Sequence, residues 1–158
     1  MTATSIPVST DQGLPARGLA VGVFDLFHVG HLRYLQFARA RCRSLTALVT
    51  RDATVLAKKG RPAAMPELER MEILRGLGWL DEVSLQPGSL DETEDAVQWL
   101  TALRVDHVFI GEDWRDSARW QRLAPRLAAL GIGLTWTPRT ETVSTTVLRE
   151  RIRASSHS

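Results

Sequence analysis

Residues 19–31 read LAVGVFDLFHVGH, and this stretch decides the expected fold of the chain. Its first part, LAVGVF at 19–24, is a short and mostly apolar run, which is typical of a parallel strand that is buried on both faces. Helical spacing of apolar residues begins at Gly30 and continues to about residue 43. The stretch therefore predicts a strand, a short polar connection and then a helix.

Apolar runs and amphipathic stretches alternate along the rest of the chain. Strands that alternate with helices require right-handed crossovers, and they give a parallel sheet that is covered on both faces. The predicted fold is therefore α/β, a Rossmann-like, doubly wound five-stranded parallel sheet with helices on both faces. The further strands are predicted at 45–49, 83–85, 105–110 and 132–136. The further helices are predicted at 66–77, from a Ser89 or Asp91 cap to about 103, at 117–130 and at 146–153.

Two segments interrupt this pattern. Residues 51–65 are polar and contain Gly60 and Pro62, so we expect a linker there. Pro125 lies inside the helix predicted at 117–130. A proline at such a position removes a backbone hydrogen bond, so we expect a kink or a split in that helix.

The composition is that of one soluble domain. The chain has 158 residues, of which 44% are hydrophobic and 24% charged, and these values exclude a disordered or collagen-like protein. The net charge of +2 is too small to indicate nucleic-acid binding, and no apolar run reaches the about 20 residues of a membrane span. The single cysteine, Cys42, fits a reducing compartment, so we expect a cytoplasmic protein. We expect a flexible tail at 1–17, one domain at 18–153 and a C-terminal tail at 154–158.

Ligands of doubly wound sheets bind beyond the carboxyl ends of the strands, so the residues there are candidate site residues. His28 and His31 follow the first strand and stand three residues apart at a helix start, which places them on one face. The free backbone N–H groups and the helix dipole at that position favour neutral imidazoles and anionic ligands. The alternatives are a pair of capping or packing histidines and, with less support, a zinc site, for which no third or fourth Cys or His ligand is evident.

Three other strand ends add groups that suit phosphate. The only lysines, Lys58 and Lys59, follow the second strand, where they are either mobile phosphate ligands or a solvated basic loop. Residues 111–114 follow the fourth strand, where Trp114 either stacks on a base or covers the core. Residues 144–146 (STT) precede the last helix and form an N-cap or a cradle for an anion. No acid–histidine–nucleophile set and no Walker-type loop is visible, so the combination predicts transfer to a phosphate or phosphonate oxyanion.

Two motifs resemble those of known enzymes. Residues 22–31 (GVFDLFHVGH) resemble the GxFDxxHxGH signature of the HxGH nucleotidyltransferase superfamily. Residues 139–146 (RTETVSTT) resemble the RTEGISTT signature of bacterial glycerol-3-phosphate cytidylyltransferases. Further matches in the family's order, such as residues 68–74 (LERMEIL) and 111–114 (GEDW), extend the resemblance over about residues 19–153.

This resemblance implies that residues 18–153 form a nucleotidyltransferase domain. The implied reaction transfers CMP from CTP to a small phosphorylated acceptor and releases pyrophosphate, with glycerol 3-phosphate as the leading acceptor. The α-phosphorus is attacked directly, without a covalent enzyme intermediate. The resemblance also implies Mg²⁺ that is bound through the nucleotide phosphates rather than by protein side chains, and it implies a homodimer.

Roles for individual residues follow from the same resemblance. The implied catalytic residues are His28, His31, Lys58 and Lys59. The implied nucleotide-binding residues are Gly22, Val23, Phe24, Asp25, Gly30, Gly111, Asp113, Trp114, Arg139, Thr140, Ser144, Thr145 and Thr146. The implied acceptor-binding residues are Asp52, Arg61 and Arg70. Asp25 is also expected to order its own loop.

The chain departs from the glycerol-phosphate pattern in three places, of which the first is residues 21–25, which read VGVFD where those enzymes usually read YGTFD. Thr142 stands where the family has glycine, and Arg61 stands in the family's second lysine region. These departures concern the acceptor, so the acceptor is alternatively another phosphate or a phosphonate. Two further hypotheses compete with cytidylyl transfer. One is an ATP-using enzyme of the same fold, as in the heptose-phosphate and flavin branches that share the first motif, and the second is a nucleotide-binding protein without catalysis.

Overall fold

A parallel five-stranded sheet forms the centre of the protein, of which a computed structural model describes residues 13–156. The strands are β1 (Arg17–Gly22), β2 (Ser44–Val49), β3 (Glu82–Leu85), β4 (His107–Gly111) and β5 (Gly133–Thr137). Their spatial order is β3-β2-β1-β4-β5, and each neighbouring pair runs parallel. The predicted fold class is confirmed, and the strand order reverses between β1 and β4, where such sheets bind ligands.

Helices cover both faces of the sheet. They are α1 (Val29–Arg39), α2 (Asp52–Lys59), α3 (Glu67–Gly76), α4 (Thr93–Ala102), α5 (Ala118–Ala129) and α6 (Thr145–Ser155), and a 3-10 turn (Glu112–Trp114) follows β4. One hydrophobic cluster packs α4 and α5 against the sheet, and a second packs α1 and α3. Leu19 belongs to the first cluster and Ala20 to the second, because successive strand residues point to opposite faces. No helix within residues 13–156 is both long and apolar enough to cross a membrane.

Residues 51–65, where a linker is predicted, contain helix α2. The N–H of Asp52 donates to the Glu67 carboxylate at 2.7 Å, and the N–H of Glu67 donates to the Asp52 carboxylate at 3.1 Å. Val55 is buried, and Gly60 ends the helix with a left-handed φ of 66°. The linker prediction was wrong because a helix of eight residues with one buried side chain leaves little periodic signal in the sequence.

One helix interior and one helix end also differ from expectation. α5 runs unbroken past Pro125, since Trp120 and Leu127 anchor both of its halves in the core, so the predicted split does not occur. α6 extends through Ser155 and takes in the first two residues of the expected C-terminal tail. The expected N-terminal tail up to residue 12 and the last two residues of the chain lie outside the described residues.

Candidate active site

A cleft of about 400 Å³ opens at the carboxyl ends of β1, β4 and β5, where the strand order reverses. This volume is in the usual range of small-molecule sites. The predicted site residues that line the cleft are Gly22, Val23, Phe24, Asp25, His28, Gly30, His31, Lys58, Lys59, Gly111, Asp113, Trp114, Arg139, Thr140, Ser144 and Thr145. The predicted site residues that do not line it are Asp52, Arg61, Arg70 and Thr146.

The two histidines fix each other at the start of α1. Nδ1 of His28, the N-cap residue, accepts a hydrogen bond from the N–H of Gly30 at 3.0 Å. Nδ1 of His31 accepts one from the N–H of His28 at 3.3 Å, so two imidazoles build a reciprocal capping box. The rings stack with their centroids 3.8 Å apart. Because each Nδ1 is an acceptor, each neutral ring carries its proton on Nε2 and has that N–H left to donate.

Burial keeps both imidazoles neutral. It lowers the pKa of His28 below the ordinary value of 6.5. Burial, and after it the neighbouring His28, lower the pKa of His31 to about 4, although the charge of Asp25 acts in the opposite direction. At neutral pH both rings are therefore uncharged hydrogen-bond donors on the wall of the cleft.

The loop between β1 and α1 is held by Asp25, whose side chain is buried. Its carboxylate accepts hydrogen bonds from the N–H groups of Ala64 at 2.8 Å and Met65 at 3.0 Å, and it pairs with Arg149 of α6 at 2.7 Å. Burial raises the pKa of Asp25, but the two amide hydrogen bonds and Arg149 outweigh it, so the pKa lies below its usual value. Asp25 thus ties the loop to the segment before α3 and to α6.

The backbone of this loop explains why β1 ends before Phe24. Phe24 and Leu26 have positive φ angles of 56° and 49°, which break the extended conformation expected through residue 24. Left-handed backbone is uncommon for such bulky residues, and it persists where the surrounding structure enforces it. Here the turn brings the N-cap His28 over the end of the sheet and into the cleft wall.

The start of α6 lies against the same loop. Oγ1 of Thr145 donates to the carbonyl oxygen of Asp25 at 3.0 Å, and Oγ of Ser144 caps the helix by accepting from the N–H of Val147 at 3.1 Å. A Cβ placed on Gly30 would lie 3.5 Å from Val143, so the segment before α6 packs against the start of α1. The structure brings the beginnings of α1 and α6 to one cleft, as the sequence predicts. Two helix N-termini at one cleft favour an anionic ligand.

The two lysines at the end of α2 differ in their surroundings. Nζ of Lys58 forms an ion pair with Asp91 at 2.6 Å. For Lys59, burial and then the charge of Arg61 lower the pKa. The charged form of a lysine that is partly desolvated and lies near another cation is stabilised when an anion approaches. Lys59 is therefore the lysine of the two that an anionic ligand would stabilise more.

Arg70 is fully buried and does not reach the cleft, contrary to the role implied for it. Its guanidinium donates to the carbonyl oxygens of Val23 at 2.7 Å and Thr50 at 2.8 Å, and it pairs with Asp52 at 2.6 Å. Two of the three implied acceptor residues, Arg70 and Asp52, thus form an ion pair that connects β1, β2, α2 and α3. The guanidinium of Arg70 is satisfied by Asp52 and by backbone carbonyl oxygens, whereas the Asp52 side chain is 47% exposed outside the cleft.

Tyr34 and Arg119 are among the cleft residues that the sequence analysis does not predict. The hydroxyl of Tyr34 donates to the carbonyl oxygen of Phe109 at 2.5 Å and accepts from the N–H of Val21 at 3.1 Å, which joins β1 to β4 beneath the cleft. Burial raises the pKa of Tyr34. Tyr34 stands three residues after His31, and this helical spacing is a signal that could have marked it. Arg119 of α5 gave no comparable signal, because its hydrogen-bond partner Asp91 lies 28 residues earlier in the chain.

A doubly wound sheet whose cleft combines neutral imidazoles, lysines and two helix N-termini defines a nucleotide-handling α/β enzyme. The model of the cytidylyltransferase-like family matches residues 19–151, and the chain belongs to this family. The predicted membership of the nucleotidyltransferase superfamily, in its cytidylyltransferase branch, is confirmed. The protein is a nucleotidyltransferase.

Individual relatives carry two different names. The chain is 38% identical over 117 residues to the FAD synthase of Thermococcus onnurineus, with 73% of each chain covered. It is 32% identical over 112 residues to the FAD synthase of Pyrococcus abyssi, covering 70% of this chain and 71% of that one. It is 34% identical over 100 residues to the ethanolamine-phosphate cytidylyltransferase of Arabidopsis thaliana, covering 63% of this chain and 23% of that one.

A solved structure shares the fold. The lipopolysaccharide core biosynthesis protein from Thermoplasma volcanium superposes with a TM-score of 0.62 at 23% sequence identity. The match covers 81% of this chain and 98% of that chain. At this identity the likeness extends to the arrangement of strands and helices only.

Proposed function

We propose that the protein transfers a nucleoside monophosphate from a nucleoside triphosphate to a phosphate group on a small acceptor. An acceptor phosphate oxygen forms a bond to the α-phosphorus, the bond from the α-phosphorus to the bridging oxygen of the β-phosphate breaks, and pyrophosphate leaves. The attacking oxygen is already ionised, so the site needs no general base. It needs donors that hold the reacting groups and stabilise charge on the α-phosphate.

The pair of neutral imidazoles at the start of α1 carries this proposal. Nδ1 of His28 and Nδ1 of His31 are both occupied by backbone N–H groups, so each ring has its Nε2–H left for an oxygen of the α-phosphate. These donors are fixed before the substrate arrives, and they need not reorient as charge develops. The loss of one such donor costs about 3 kcal/mol in the barrier, or about a hundredfold in rate.

The neighbouring groups are proposed to bind the rest of the triphosphate. The β- and γ-phosphates would bind at Arg139 and at the start of α6, where Ser144 and Thr145 lie. Lys59 of α2 would add a positive charge. The described residues contain no group of three or more His, Cys, Asp or Glu side chains that could hold a metal ion. Mg²⁺ held through the nucleotide phosphates stays a prediction. When bound there, Mg²⁺ would neutralise part of the phosphate charge.

ATP is the proposed nucleotide, with FMN as the leading acceptor. The relatives named FAD synthase make FAD, which consists of FMN joined to AMP, so their names support an adenylyl donor. They favour the ATP-using alternative over the expected pair of CTP and glycerol 3-phosphate. CTP is the second candidate because residues 139–146 resemble the cytidylyltransferase signature, apart from positions such as Thr142, and the plant relative is named for cytidylyl transfer. The homodimer and the cytoplasmic location stay predictions.

Pyrophosphate release by the purified protein with Mg²⁺ tests the proposal. ATP and CTP are offered separately, each with FMN, glycerol 3-phosphate, ethanolamine phosphate or a phosphonate. We expect release from ATP with FMN, and release from CTP with one of the remaining acceptors would select the second candidate.

Two histidine variants provide the matched test of the site. His31→Ala should lower kcat/KM about a hundredfold, since it removes one fixed donor. His107→Ala changes a histidine that does not line the cleft and should leave kcat/KM near the wild-type value. A His31→Ala enzyme with unchanged turnover, or no pyrophosphate release from any pair of substrates, would overturn the proposed function.

A further inference from the structure

Arg119, at the start of α5, is a cleft residue to which the proposed mechanism gives no role. Its side chain lines the cleft and is 14% exposed. Its Nε donates to one oxygen of the Asp91 carboxylate at 2.6 Å. Its guanidinium carbon lies 4.9 Å from the centroid of the Trp114 ring. These two contacts hold the guanidinium group between the Asp91 carboxylate and the Trp114 ring.

The contact with Asp91 leaves the outer edge of the guanidinium available. In the part of the chain that the structure describes, the two terminal nitrogens of Arg119 make no hydrogen bond, and neither of them is buried. A guanidinium group offers donors only, so a ligand at this edge must present acceptor atoms. Two coplanar N–H donors match two oxygens of a phosphate group.

Asp91 also connects Arg119 to a second cation of the cleft. Nζ of Lys58 lies 2.6 Å from the other carboxylate oxygen, while Asp91 itself does not line the cleft. One carboxylate between two cations leaves a positive charge in excess, which favours an anion over a neutral base. The hydrogen bond from Arg119 is the main cause that lowers the pKa of Asp91 to about 2, so Asp91 stays ionised at neutral pH.

We infer that Arg119 is a substrate-binding residue whose terminal nitrogens hold phosphate oxygens, and that Asp91 is the residue that positions it. The phosphate belongs either to the nucleotide or to the acceptor, since both present the same oxygens. The inference rests on the proposed function for the identity of these substrates, whereas the binding of a phosphate at Arg119 does not require turnover.

Calorimetric titration of the full chain with ATP, CTP, inorganic pyrophosphate and FMN, each with Mg²⁺, tests the inference. Arg119→Gln removes charge-assisted hydrogen bonds and should raise Kd about tenfold or more for the ligand that it holds. Arg126→Gln is the matched control, because Arg126 lies on the same helix, pairs with Glu94 and does not line the cleft. It should leave every Kd unchanged.

Variants of Asp91 test its positioning role. Asp91→Asn should raise the same Kd by a smaller factor than Arg119→Gln, because the guanidinium remains but loses its fixed direction. Asp91→Glu restores a carboxylate and should recover part of the lost affinity. A merely structural role would not give this recovery with the same ligand, so an Asp91→Glu protein that binds no better than Asp91→Asn would contradict the positioning role.

The ligands separate the outcomes. Weaker binding of ATP, CTP and pyrophosphate together assigns Arg119 to the triphosphate, and weaker binding of FMN alone assigns it to the acceptor phosphate. Weaker binding of one nucleotide only, Kd values equal to those of Arg126→Gln, or no binding of any ligand to the wild type would overturn the inference. If Arg119→Gln weakens binding in either of the two ways that support the inference, but the wild-type protein releases no pyrophosphate, the inference stands and the proposed function fails.

Discussion

The substitution Gly30→Ala disturbs the position of one imidazole without removing it. A Cβ placed on Gly30 would lie 2.8 Å from Cε1 and 2.9 Å from Nδ1 of the His28 ring, which is closer than such contacts allow. The same ring is held by the N–H of Gly30 at 3.0 Å, so the ring must move and lose this hydrogen bond. Nε2–H of His28 then no longer lies where the α-phosphate is proposed to bind. We expect kcat/KM for pyrophosphate release to fall about a hundredfold.

The stability of the Gly30→Ala protein should change little, because two effects oppose each other. The lost cap hydrogen bond costs about 1 kcal/mol, and alanine in place of glycine inside a helix contributes about 1 kcal/mol. Gly76→Ala is the control, since a Cβ there meets nothing within 4 Å. Thermal unfolding and pyrophosphate release are measured on both variants. A Gly30→Ala enzyme with the kcat/KM of the control would refute the reasoning.

Three further predictions concern the charges of the site. His31 should keep its neutral Nε2–H form down to about pH 5 in ¹⁵N NMR spectra, because its pKa is about 4, and a titration midpoint near the ordinary 6.5 would contradict this. As the pH falls from 6.5 towards 4, the imidazole of His31 is protonated in the unfolded chain before it is protonated in the folded protein. The free energy of unfolding should therefore decrease over this range, and urea denaturation at several pH values measures the decrease. Asp25→Asn leaves Arg149 without its buried partner and should lower the free energy of unfolding by about 3 kcal/mol, and a loss below about 1 kcal/mol would show that Asp25 does not hold the loop.

The sheet and the central part of the site were predictable because their signals are local. The apolar run at 19–24 marks a buried strand, and the histidines that follow stand at a fixed distance from its end. The hydroxyl residues at 144–146 stand in the same relation to β5. Parallel strands bring their carboxyl ends to one edge of the sheet, so the topology alone places these groups near each other.

The remaining site residues depend on contacts that the sequence does not record. Arg70 has the chemistry of an anion-binding residue, but its burial among carbonyl oxygens makes it an internal tie. Arg119 and Asp91 meet across 28 residues of chain, and no periodic pattern links them. Helix α2 was missed because eight residues with one buried side chain leave little periodic signal, and the hydrogen bonds that Asp52 exchanges with Glu67 span 15 residues.

A crystal structure with Mg²⁺ and a non-hydrolysable ATP analogue tests most directly whether the starts of α1 and α6 bind one triphosphate. We predict that Nε2 of His28 and Nε2 of His31 lie within about 2.7–3.2 Å of α-phosphate oxygens, with the β- and γ-phosphates against Ser144 and Thr145. A nucleotide bound outside the cleft, or a triphosphate that contacts only one of the two helix starts, would contradict the mechanism.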